Sequence, residues 1–115
     1  MAEIQLTKDA DALICVLYKN YLEKRKSGVS KRTAGYFGSS REIHANLMCK
    51  WSFDDVDDTI RELSRAGLLR CLFADSIAYE VSISDNGVIY MENRFKDGLA
   101  SLFNYIEKLR SLIPL

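Results

Sequence analysis

Three features of this sequence could do chemistry: three cysteines, one histidine and an uneven distribution of charge. Cys15, Cys49 and Cys71 are an odd number at wide spacings, each beside apolar residues, which predicts reduced, buried thiols rather than disulfides. Together with His44 they match no recognised zinc spacing, so no metal site is expected. His44 has no obvious Cys or Ser partner, and no phosphate-binding glycine motif, paired-His spacing or nucleophile elbow occurs. Neither catalysis nor a cofactor is expected.

The charges leave binding as the remaining chemistry. Sixteen Lys/Arg balance sixteen Asp/Glu, so the net charge argues for neither nucleic acid nor an anionic membrane. The halves differ, however: nine cations face five acids up to Phe53, and seven face eleven after it. The basic half comes first and the acidic half follows.

The elements that must position these charges follow from periodicity and caps. At 115 residues, with 48% hydrophobic and 28% charged content, the chain suits one soluble domain over 1–115. Thr7 starts a helix whose stripe of Ala10, Leu13, Ile14, Leu17, Tyr21 and Leu22 runs to about Glu23. Residues 27–40, SGVSKRTAGYFGSS, read as a loop in which Tyr36 and Phe37 either pin the chain to the core or join the cations in binding. Ser39 and Glu42 form a capping box for a short second helix to about Cys49. Ser52 and Asp55 repeat the box for a third helix carrying Phe53, Val56, Ile60, Leu63 and Ala66, closed by Gly67.

After Gly67 the period changes to two. LLRCLFA and IAYEVSIS predict a two-stranded hairpin turning at Asp75 and Ser76, with Ile77, Tyr79, Val81 and Ile83 alternating against polar neighbours. Residues 85–113 then read as helix, with Asp97 and Gly98 as a point where it could divide. From Phe95 the apolar steps alternate four and three through Leu99, Leu102, Ile106, Leu109 and Ile113, the 3.5-residue period of a coiled-coil seam. These six residues are the expected homodimer interface. Phe103, Tyr105 and Leu112 widen the stripe, which suggests additional packing on the chain's own domain. The N-terminus MAEIQLTKDAD lacks an apolar run for a signal peptide or membrane span, so a cytoplasmic protein without a membrane partner is expected.

Helix, loop, helix, tight turn, helix, hairpin, helix is the order of a winged helix-turn-helix domain. Two phrases carry the resemblance: VDDTIRELSRAGLLRC, similar to that family's recognition helix running through L-x-x-x-G-L-[LI] into the wing, and YEVSISDNGVIYME, similar to the [LI]-[TS]-x-x-G-x-x-Y-[LM] phrase opening its final helix. The sequence also resembles the small YjcQ-like group of winged-helix proteins from Gram-positive bacteria and their phages. The resemblance implies an α+β, mainly helical fold, with core helices and wing over 7–84 and a dimerising helix or helix pair over 85–113. It further implies a dimeric transcriptional regulator that binds double-stranded DNA, with the third helix in the major groove and the wing on phosphate or the minor groove.

On that arrangement the DNA-binding side chains are Lys31, Arg32, Arg41, Lys50, Arg61, Arg65 and Arg70, with Arg61 and Arg65 reaching bases. The difficulty is Asp54, Asp55, Asp57 and Asp58. Asp54 and Asp55 suit a helix N-terminus, each contributing roughly 0.3–1 kcal/mol there, and Arg61 can partly neutralise Asp57 or Asp58. Yet a carboxylate about 6 Å from a phosphate costs about 0.7 kcal/mol in water and about 2.8 kcal/mol at an effective dielectric of about 20. An alternative therefore stands: a winged-helix module that presents an acidic helix to a basic protein partner and leaves DNA alone.

Overall fold

Thr7 takes an extended conformation and its hydroxyl accepts the Ala10 N–H at 3.1 Å, opening α1 (Lys8–Lys26), whose apolar stripe from Ala10 to Tyr21 is the centre of the core. The computed structural model, which describes residues 3–115, is α+β and mainly helical, with six helices and one three-stranded antiparallel sheet among the described residues. No helix among them is long and apolar enough to cross a membrane.

The segment expected to be a loop is largely regular. Ser30 caps a single turn, α2 (Lys31–Ala34), and Gly35 leads into β1 (Tyr36–Gly38). One turn and three residues are too short to show a period, which is why the sequence reads as loop there. The chain then forms α3 (Ser40–Asn46), α4 (Phe53–Arg65), β2 (Leu69–Ala74) and β3 (Ile77–Ile83). Ser39 and Ser52 cap α3 and α4 by accepting the N–H groups of Glu42 and Asp55, the N-cap half of each predicted box.

The sheet order is β1-β3-β2, so a third strand covers one edge of the expected two-stranded hairpin. Asp75 and Ser76 both have positive φ, 53° and 67°, the left-handed pair that closes a two-residue hairpin without splaying its strands. Between Leu72↔Glu80 and Phe73↔Ala78 the register skips Tyr79. That bulge reverses the predicted alternation: Ala78 enters the core and Tyr79 lies 55% exposed.

The C-terminal segment divides where Asp97 and Gly98 allowed it, into α5 (Asp85–Arg94) and α6 (Leu99–Arg110), with Gly98 at φ 69°. The expected seam is corrected by the packing. Phe95, Leu102, Ile106 and Leu109 are all under 8% exposed within the chain, while Leu99 and Ile113 are partly buried, because α6 lies against α1. A seam built on those four would have to remove them from their own core.

Candidate nucleic-acid interface

Of the seven expected DNA-binding cations, three converge. Lys31 and Arg32 on α2 and Arg70 on β2 line one cleft of about 350 Å³, floored by Tyr21, Gly35, Ser82 and Ile83 and bordered by Asp85. All three side chains are exposed. Lys31 Nζ pairs with Asp85 Oδ1 at 3.3 Å; with both groups open to water this contact is worth well under about 1 kcal/mol, so a phosphate can replace it.

The backbone places this cleft deliberately. Ser30 and Gly35 bracket α2, and a Cβ on Gly35 would come within 3.1 Å of Ile83 Cγ2, so glycine lets α2 approach β3 closely. The register aligns Tyr36, Ser82 and Arg70 in one row across the sheet. Their opposite-facing neighbours Leu69, Val81 and Ile83 are buried, on the side where α4 packs. The cleft lies where α2 meets this end of the sheet, with Arg70 and Ser82 from the outer row and Ile83 from the buried one.

Arg61 is elsewhere and committed. Its Nε donates to Asp57 Oδ2 at 3.0 Å, its Nη2 donates to the Ser76 carbonyl at 2.8 Å, and its guanidinium lies 4.7 Å from the Phe73 ring centre. Arg61, expected to read bases, instead has its Nε and one Nη2 donor holding the hairpin turn onto α4. Asp57, only 6% exposed, also accepts the Ala78 N–H at 3.0 Å. Burial by itself would raise its pKa, but the Ala78 N–H, the neighbouring Ser40 hydroxyl and the Arg61 guanidinium together outweigh burial and hold the carboxyl below its ordinary value. One of the four troublesome acids is thus a structural ligand of the hairpin.

Asp54, Asp55 and Asp58 stay exposed, and none joins an ion pair among the described residues. Arg65 is exposed at the last turn of α4, Arg41 lies 5.1 Å from the Phe53 ring centre, and Lys50 is exposed in the turn before α4. These three are not brought together with the cleft.

The other reactive side chains are structural. His44 Nε2 lies 2.8 Å from the Trp51 carbonyl and ties α3 to the turn before α4. The three cysteines are free thiols; Cys15 is buried, but Cys71 is half-buried and Cys49 exposed, against the expectation of burial for all three. Desolvation and then the nearby Asp11 charge push the buried Cys15 thiol up to about 12. Sequence reading missed a polar clasp in which Asp11 on α1 accepts from Arg94 on α5 and Tyr105 on α6. Its members are too far apart in sequence to leave a local signal. Tyr36 and Phe37 divide the two readings given for them: Phe37 is buried and Tyr36 is 44% exposed.

Comparison with family models, curated proteins and solved structures found no match for the chain.

Proposed function

We propose that this is a winged-helix-type DNA-binding protein, of regulator type, that contacts phosphate at the Lys31–Arg32–Arg70 cleft rather than chiefly through α4. The observation that carries the reading is the convergence of three exposed cations from α2 and β2 on one concave surface that none of the four acids of α4 lines. Phosphate neutralisation supplies most nonspecific affinity for DNA. With Arg61 occupied, Arg65 is the one remaining cation on α4, so base readout is weak and backbone contact dominates.

Two measurements test this. Mixed genomic fragments at about 50 mM salt are expected to bind the protein and to lose most of that binding with Lys31→Ala, Arg32→Ala and Arg70→Ala combined; no binding by the parent protein contradicts the reading. Asp85→Asn removes the competitor that holds Lys31. It is expected to tighten DNA binding a few-fold, by a few tenths to 1 kcal/mol of released pairing and repulsion, and unchanged or weaker binding counts against the cleft.

A second reading rests on a separate observation, the three unpaired acids Asp54, Asp55 and Asp58 on the outer face of α4. In that reading the module offers them to a basic protein partner. Converting all three to Asn distinguishes the readings: it abolishes capture of such a partner in the second, and leaves DNA binding equal or tighter in the first.

A further inference from the structure

The cation cleft does not end at Arg70. A second cleft of about 280 Å³ adjoins it, sharing Arg70 and Ser82 as a common wall and continuing along Tyr36, Leu72 and Glu80. The row Tyr36–Ser82–Arg70 and the neighbouring pair Leu72–Glu80 place these side chains on one face of the sheet. At the bulge beside them stands Tyr79. The surface is unusually apolar for one open to water: Tyr36 is 44%, Leu72 64% and Tyr79 55% exposed. The Tyr36 phenol is pushed above its ordinary value, first by desolvation and then by Glu80, Glu42 and Tyr79.

One trough thus runs from three cations to the exposed ring of Tyr36, with the exposed Tyr79 next along β3 from Glu80. A duplex can use the cations, but its bases are stacked on one another and offer no free faces to tyrosine. An unpaired strand offers both phosphate and bare base faces, and stacking on aromatic side chains beside a basic groove is the way proteins hold such strands. We infer that the outer face of this sheet is a single-stranded DNA platform, with Tyr36 and Tyr79 stacking bases and Arg70, Arg32 and Lys31 neutralising the adjoining phosphates. Glu80, the acid within the trough, can accept from an exocyclic base amine. Asp85 at the other end is displaced from Lys31 by phosphate. This inference rests on the phosphate-binding reading of the same cleft and specifies the form of the nucleic acid.

Fluorescence anisotropy with a labelled DNA strand of about 12 nucleotides, its duplex and the RNA strand of the same sequence, at about 50 mM salt, tests it. The expected result is that the DNA strand binds about tenfold more tightly than the duplex. Tyr36→Ala with Tyr79→Ala then removes about tenfold or more of the single-strand affinity and leaves the duplex unchanged, while Tyr36→Phe with Tyr79→Phe, which keeps both rings, restores it. Both positions are exposed, so the fold should survive either pair of changes. Duplex binding equal to or tighter than strand binding, or an alanine pair without effect, overturns the platform and leaves the cation cleft standing. A preference for the RNA strand overturns the assignment to DNA. Absence of binding to all three overturns the platform and the cation cleft together.

Discussion

Asp57→Ala is expected to lower the free energy of unfolding by about 2–4 kcal/mol, measured by urea denaturation. The substitution leaves the buried Ala78 N–H without an acceptor and removes the anion that holds Arg61, itself a third exposed. Asp57→Asn keeps an acceptor for Ala78 and should cost only about half as much. Asp58→Ala, one position away but exposed, should stay within about 0.5 kcal/mol of the parent. Equal effects at the two positions would contradict the structural role assigned to Asp57. The pH dependence has a defined sign. The folded carboxyl titrates below its ordinary value of about 3.8, so its contribution is complete above that value and disappears as the pH falls through the lower folded pKa.

Leu102→Ala should cost about 2–5 kcal/mol, because Leu102 is fully buried where α6 packs on α1 and the truncation leaves a cavity. The decisive feature is the concentration dependence. A core residue of the single chain gives the same loss at every protein concentration. A residue of a dimer seam gives an apparent stability that rises with concentration in the parent and loses that dependence in the variant. A concentration-dependent transition restored to independence by Leu102→Ala would reinstate the seam.

Much of the frame was legible because it is local. Caps at Thr7, Ser39 and Ser52, the left-handed glycines after α1 and α4, and the turn at Asp75–Ser76 are each set by a few adjacent residues, and the structure places them where the sequence does. What was not legible depends on partners distant in sequence. The seven-residue repeat from Phe95 marks an apolar stripe equally well whether that stripe faces a second chain or α1. The alternation in β3 reads as one uniform face because a bulge is decided by the opposing strand, so Tyr79 was misplaced. Arg61 looked free because its acceptors, Asp57 and the Ser76 carbonyl, come together only when the hairpin folds back on α4.

The candidate site was half legible for the same reason. Lys31, Arg32 and Arg70 are all in the sequence-derived set, but nothing local joins residues 31 and 32 to residue 70. The unnoticed strand β1 supplies the link, because it docks α2 beside β3, and β3 carries β2. Without β1 the sheet is a two-stranded hairpin, and Lys31 and Arg32 are cations on a loop with no fixed neighbour. The three-stranded sheet turns dispersed charges into a cleft and turns attention from α4 to the end of the sheet where α2 meets it.

The salt dependence of DNA binding tests that conclusion most directly. Plotting log affinity against log salt for the parent protein and for the combined Lys31→Ala, Arg32→Ala, Arg70→Ala variant should show the slope reduced by about three, close to one released counterion per lost phosphate contact. A parent protein that binds with a slope unchanged by the three substitutions, or that fails to bind at about 50 mM salt, would contradict the account.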